Sequence, residues 1–134
     1  MIVVVCIDDK NGMTFNHRRQ SRDRLLIEDL LRFTGEKIIY TNTYSSSLFA
    51  EYPERYTEDK DYLDKAEEND ICFVETDDLK DYAEKINGII LYRWNRHYPS
   101  TTKLMLNLSE YHLQERTEFA GSSHEKITRE VYSK

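Results

Sequence analysis

Four arginines, Arg18, Arg19, Arg22 and Arg24, fall within the stretch NHRRQSRDR (residues 16–24) of a chain that is acidic overall, with a net charge of −6. A guanidinium is a planar fork that binds a carboxylate or phosphate through two parallel hydrogen bonds, so the chemistry this cluster offers is anion binding. Gln20 adds an amide within the same run. The alternative is a solvated charged surface whose arginines pair with Asp23, Glu28 and an acidic segment further along. A second group, Thr41-Asn42-Thr43-Tyr44-Ser45-Ser46-Ser47, crowds hydroxyls where a helix should begin. Such residues cap helices whatever else they do, and beside a cleft their O–H groups and the backbone N–H groups could hold phosphate. Arg18, Arg19, Gln20 and Arg22 on one side, with Thr41, Asn42, Tyr44 and Ser45 on the other, form the candidate ligand-binding site.

Other combinations carry less. Arg93-Trp94-Asn95-Arg96-His97-Tyr98 holds the sole tryptophan, which serves as core or interface anchor more often than as a platform for a stacked base. Gly121-Ser122-Ser123-His124-Glu125 places Ser beside His, but a nucleophile and its base must meet in space and need a third group to orient them. This stretch therefore reads as a hairpin loop. Asp8 and Asp9 could bind a hard cation, though two acids at a strand end are more often turn formers. The four histidines, His17, His97, His112 and His124, make neither HxH nor HExxH, so no metal site is expected. Cys6 and Cys72 lie inside apolar runs and read as buried, reduced thiols.

The elements that would position these groups follow from patterning. Ile2–Ile7 is an unbroken β-branched run, the signature of a central strand covered on both faces. Asn11-Gly12 supplies a turn. Ser21 is placed to cap a helix with the apolar stripe Leu26, Ile27, Leu30, Leu31 and Phe33, stopped at Gly35. Lys37–Tyr40 reads as a second strand, Ile71–Glu75 as a third and Gly88–Trp94 as a fourth, with a helix over Asp77–Ile86 whose acids favour its N-terminal end. The acidic segment, residues 51–70, reads as a loop with a short helix near Asp61–Glu68. Tyr111–Phe119 and Lys126–Tyr132 alternate polar and apolar residues and form an antiparallel hairpin. The fold class is α/β: a single domain over residues 1–134, with a mixed, mainly parallel sheet and a C-terminal antiparallel hairpin.

Composition narrows the function classes. A length of 134 residues suffices for one core without disulfides or metal. No apolar run approaches the roughly 18 to 20 residues of a membrane span, and MIVVVCIDDK has no signal-peptide character, so the expectation is a cytoplasmic protein. Residues 51–70 hold nine acids against three bases and so carry the whole net charge. The basic face that duplex binding requires is confined to residues 17–24 with Arg93 and Arg96, which ranks nucleic acid below a small anion as partner.

Taken in order, MIVVVCIDDKNGM, LLIEDLLRFTGEKIIYTNTYSSSLF, ICFVETDDLKDYAEKINGIILYRW and EYHLQERTEFAGSSHEKITREVY resemble the successive pieces of the dihydrofolate reductase fold. The resemblance implies a ligand cleft closed by the loop after the first strand. Two departures from that family stand out. Its tandem glycine after the third of these strands, where backbone approaches the cofactor diphosphate, is here Glu75-Thr76, and a carboxylate there repels a diphosphate. Its catalytic acid on the first helix has no match: Asp23 falls early, and Glu28 and Asp29 are expected to face solvent. These departures argue against NADPH-dependent folate reduction, and the cofactor is left unassigned. CIDDKNGMTFNHRRQS and EFAGSSHEKITREVY are also similar to small proteins of anaerobic Gram-positive, clostridial-type bacteria that carry the name ribonuclease Z. That name implies a zinc hydrolase whose HxHxDH ligands this sequence lacks.

Three functions follow as alternatives. The first is a protein, whether a binder or an enzyme, that takes an anionic nucleotide-like or phosphorylated ligand. The second is an interaction module, a homodimer for instance, using the ten tyrosines and the acidic segment. The third is RNA binding or processing, as the ribonuclease Z name would have it.

Overall fold

Ile2–Ile7 forms β1 in the middle of a seven-stranded sheet, and its side chains are claimed alternately by two hydrophobic cores. Val3, Val5 and Ile7 enter one core and Val4 the other, which is why every position of this strand is apolar. The computed structural model describes residues 1–134. The remaining strands are β2 (Gly12–Phe15), β3 (Arg18–Arg19), β4 (Ile39–Thr41), β5 (Tyr56–Glu58), β6 (Ile71–Phe73), β7 (Gly88–Arg93), β8 (Thr102–Lys103), β9 (His112–Phe119) and β10 (Ile127–Ser133). The main sheet runs β5-β4-β6-β1-β7-β10-β9. Its first five strands are parallel, while β10 is antiparallel to both β7 and β9. The architecture is thus mixed α/β with a C-terminal antiparallel hairpin, as patterning indicated.

Helix α1 (Arg24–Thr34) lies over the face that carries Val4, burying Leu26, Ile27, Leu30 and Leu31. Its cap is Asp23 rather than Ser21: the Asp23 carboxylate accepts from the N–H groups of Leu25 and Leu26 at 3.0 and 3.3 Å. Gly35, at φ 66°, ends the helix in the left-handed region. Phe33 leaves the stripe and packs at 36% exposure over the guanidinium of Arg129, 4.1 Å from ring centre to Cζ.

Asp29 corrects the expectation of a solvent-facing acid. It is buried, and Arg129 of β10 donates to both its oxygens at 2.8 and 2.7 Å, while the Tyr92 hydroxyl of β7 donates at 2.7 Å. Burial first, and then Asp29, push the Tyr92 hydroxyl up.

The opposite face is covered by α3 (Tyr62–Lys65), by a 3-10 helix over Lys80–Lys85, and by the approach to β9. The expected helix over 77–86 is this shorter 3-10 segment. None of its six residues is buried, so it has no apolar stripe to hold α-helical spacing, and it is pinned at its ends by Leu79 and Ile86. The acidic segment contributes more than a loop, because Tyr56–Glu58 closes the parallel edge of the sheet.

A second, three-stranded antiparallel sheet, β3-β2-β8, stands over the end of β1. Asn16 and His17, with φ of 51° and 64°, form the two-residue turn between β2 and β3, so Arg18 and Arg19 lie on a strand.

Candidate functional site

Because β1, β4, β6 and β7 are parallel, Ile7, Thr41, Phe73 and Arg93 end at the same edge of the sheet, and the loops after them gather there. Ligands of open α/β sheets bind at that carboxyl end. Asp8 organises the first of these loops. Its Oδ1 accepts from the N–H groups of Lys10 and Gly12 at 2.8 and 2.7 Å, and its Oδ2 from Gln20 Nε2 at 3.1 Å. Burial works against the charge, but the donors outweigh it and hold the Asp8 carboxyl below its ordinary value. A Cβ on Gly12 would come within 2.6 to 2.8 Å of Ser100, Gln20 and Asp8, so the turn requires glycine by close approach.

The two adjacent arginines of β3 meet different fates. Arg19 points inward: its Nε and Nη2 donate to the two oxygens of Glu75 at 2.9 and 3.0 Å, and its Cζ lies 4.4 Å from the centre of the Tyr44 ring. Its own N–H donates to the Tyr44 hydroxyl at 2.9 Å. Glu75 also accepts from Ser45 Oγ at 2.7 Å. This knot fills the space after β6 with an ion pair. Arg18 is exposed on the neighbouring face, and its guanidinium has no hydrogen-bond or ion-pair partner.

The cleft beside Arg18 has a volume of about 550 Å³ and is walled by Phe15, Asn16, Arg18, Arg19, Gln20, Tyr98 and Pro99. Gln20 Oε1 is buried there without a partner. A second groove of about 240 Å³ lies between the start of α1 and residues 47–52 and includes Arg22 and Arg24. Between the two, under the start of α1, only about 10 Å³ remains among Cys6, Leu26, Phe73, Glu75 and Trp94. The Cys6 thiol is pushed well up by burial and then by Glu75, so it offers no nucleophile.

Of the residues singled out in the sequence, Arg18, Arg19 and Gln20 share the large cleft and Arg22 lines the second groove. Of the hydroxyl group, Ser47 lines the second groove and the rest line neither. Thr41 is buried and donates to Phe73 O at 2.8 Å. Asn42 caps the short helix α2 (Thr43–Ser46) by accepting from Ser45 N at 3.0 Å, and reaches Asp77 through Nδ2 at 3.1 Å. Ser45 is spent on Glu75, so Tyr44 alone of this group frames the β3 side.

Three loops bring together a further set of residues that stand far apart in the sequence. Asp23 accepts from the backbone N–H groups of Ser122 and Ser123 at 2.9 and 2.8 Å and from the Ser122 hydroxyl at 3.0 Å, while the Ser123 hydroxyl, 3.1 Å away, lies closer to Arg22 O at 2.7 Å. His124, in the same hairpin loop, is buried with its ring stacked on Trp94, centroids 4.5 Å apart. Its Nδ1 is 3.1 Å from Asp23 Oδ2 and its Nε2 is 2.8 Å from the hydroxyl of Tyr98. Burial alone would raise the Asp23 carboxyl; the Ser122 and Ser123 donors and His124 hold it far below the usual carboxylate range. His124 Nδ1 also lies 3.1 Å from the Oγ of its neighbour Ser123, so the adjacent Ser–His pair is in contact, and beyond it His124 joins residues 26 and 101 positions away.

No protein-family model matches the chain, and no curated protein matches it in sequence. Among solved structures it is similar to the dihydrofolate reductase of Enterococcus faecalis complexed with NADP(H) and RAB-propyl, with a TM-score of 0.68 over 98% of this chain and 94% of that one, at 9% identity. The fold is therefore dihydrofolate-reductase-like. No three His, Cys, Asp or Glu side chains come together as a metal-binding group, and nothing in this architecture supports the ribonuclease Z name. No helix is long and apolar enough to cross a membrane.

Proposed function

We propose that this protein uses a dihydrofolate-reductase-like scaffold to bind an anionic small molecule, nucleotide-like or phosphorylated, and that it does not reduce folate. The observation that carries the reading is the unpaired guanidinium of Arg18 on the wall of the 550 Å³ cleft. Around it stand Asn16 and Gln20, able to hydrogen-bond, and the rings of Phe15 and Tyr98, which suit a flat group. Arg19 supports the site by fixing β3, since Glu75 already neutralises it.

The case against reduction is steric and electrostatic. Glu75 stands where the resemblance would put the glycine pair beside a diphosphate, and its carboxylate would repel one, while only about 10 Å³ is open under α1. The acid that α1 buries, Asp29, is committed to Arg129 and Tyr92, and Leu26 and Ile27 fill the inner side beside it.

A thermal-shift panel of nucleotides, pterins and sugar phosphates tests the reading, with Arg18→Ala beside the wild type. A ligand at a hundredfold over its Kd adds about 2.7 kcal/mol to stability. The expected result is a rise in Tm with at least one phosphorylated compound, lost in Arg18→Ala. No shift with any anion, or an equal shift in both proteins, overturns it.

A further inference from the structure

The chain Asp23, His124, Tyr98 has the connectivity of a nucleophile with its base and its orienting acid. We propose that Tyr98 is a primed catalytic hydroxyl at the mouth of the Arg18 cleft, with His124 as the base that takes its proton and Asp23 as the group that positions the base. Three observations carry this. Nδ1 faces Asp23 Oδ2 and Ser123 Oγ, each at 3.1 Å; a carboxylate only accepts, and the Ser123 hydroxyl gives its proton to the nearer Arg22 O at 2.7 Å, so the ring proton is placed on Nδ1, and in the neutral ring Nε2 is left with its lone pair toward Tyr98. The tyrosine hydroxyl must then donate to Nε2 across 2.8 Å, the direction in which a proton leaves a nucleophile. The ring cannot turn away, because it is buried, stacked on Trp94 and tied at both nitrogens.

Asp23 is built to stay ionised. Besides His124 it accepts from four backbone N–H groups and the Ser122 hydroxyl, which hold its carboxyl far below the usual range. An imidazolium formed at His124 therefore faces a fixed negative charge. Tyr98 differs from the two inner members: it is half-buried and lines the cleft with Arg18, while His124 and Asp23 are buried and do not.

The substrate class that fits is a phosphate ester. The Tyr98 oxygen bonds to phosphorus, the ester oxygen leaves with its electron pair, and the phenolic proton passes to His124 Nε2, from which it can return to the leaving oxygen. This substrate class rests on the anion reading above, whereas the priming of the hydroxyl rests on geometry alone.

The test reads the hydroxyl directly. The protein is treated with phenylmethanesulfonyl fluoride, a neutral probe on which Arg18 exerts no charge attraction, and each of the ten tyrosines is followed by peptide mass spectrometry. The tyrosine oxygen displaces fluoride from sulfur as its proton goes to Nε2. Tyr44, 37% exposed and without a base, is the internal reference. A positioned general base is worth ~10²–10⁴ in rate, so Tyr98 is expected to react about a hundredfold faster than Tyr44 despite being less exposed. His124→Phe, which preserves the stack on Trp94, should abolish the difference. A Tyr98 rate no greater than that of Tyr44 overturns the proposal, as does an unchanged Tyr98 rate in a folded His124→Phe chain. Where that variant fails to fold, the wild-type ratio decides alone. Labelling without any phosphate binding would retain the primed hydroxyl and discard the substrate class; phosphate binding without labelling would do the reverse.

Discussion

Arg18 and Arg19 are adjacent and chemically identical, yet the structure assigns them opposite roles, and replacing each with alanine separates these. The Arg19 and Glu75 side chains are 19% and 10% exposed, and the pair is bidentate. Removing one member of a fully buried pair costs about 3–5 kcal/mol, and an exposed pair contributes about 0–1. With this degree of burial, and with Ser45 still donating to Glu75 after the change, Arg19→Ala should cost about 2 kcal/mol. In a chain of this length that is a fall in Tm of roughly 6–10 °C. Arg18→Ala breaks no contact and should stay within about 0.5 kcal/mol, a shift of roughly 2 °C or less. Glu75→Gln, which leaves a neutral acceptor for Arg19, should fall between them. Paired urea and thermal melts at pH 7 measure all three. Equal small losses at positions 18 and 19 would refute the assignment of Arg19 as a structural plug.

Other outcomes follow from buried groups. Arg129→Ala should destabilise by about 3–5 kcal/mol in urea melts, because Asp29 is left as a buried charge with only the Tyr92 hydroxyl. Asp23, Asp8 and Glu130 all have carboxyls held below their ordinary values in the folded chain. The stability they contribute is therefore complete above the unfolded carboxylate range, near pH 4, and is lost as pH falls through the folded values. Asp23→Asn should lower stability at pH 7 and flatten its decline below pH 4, as read from urea melts across a pH series. A Cβ at Gly121 would collide with Asp23 Oδ2 and press on Ile127, so Gly121→Ala should destabilise by about 1–3 kcal/mol and make the amides of residues 121–124 exchange faster with solvent.

The sheet was legible because its signals are local. Ile2–Ile7 announces burial on both faces by composition alone, and the alternation of residues 111–119 and 126–132 announces a hairpin. What escaped notice depended on partners distant in sequence. Asp29 looks like the polar face of an amphipathic helix until Arg129 is placed beneath it, a hundred residues on. The β2–β3 turn uses Asn16-His17 rather than a glycine pair, so the strand bearing Arg18 and Arg19 read as a loop. Ser21 and Asp23 are both competent caps, and the choice between them is made by Ser122 and Ser123, which bind only the latter. At the candidate site the arginine cluster was visible, but its division into a plug and a free cation was not, since that requires knowing that Glu75 ends up beside Arg19. His124 was visible only as the neighbour of a serine.

The placement of β10 bears on how the molecule is made. This strand is inserted between β7 and β9, and the loop before it supplies the donors that satisfy Asp23, while Arg129 within it satisfies Asp29. Synthesis runs from the N-terminus, so on the ribosome the first helix is complete long before either of its buried acids has a partner, and β7 waits with an open edge. Until residues 122–133 have emerged, the nascent chain holds an unpaired strand edge and two acids awaiting burial, a form prone to linger with chaperones. Residues 122–133, made about a hundred residues after α1, thus close a helix that has long since emerged.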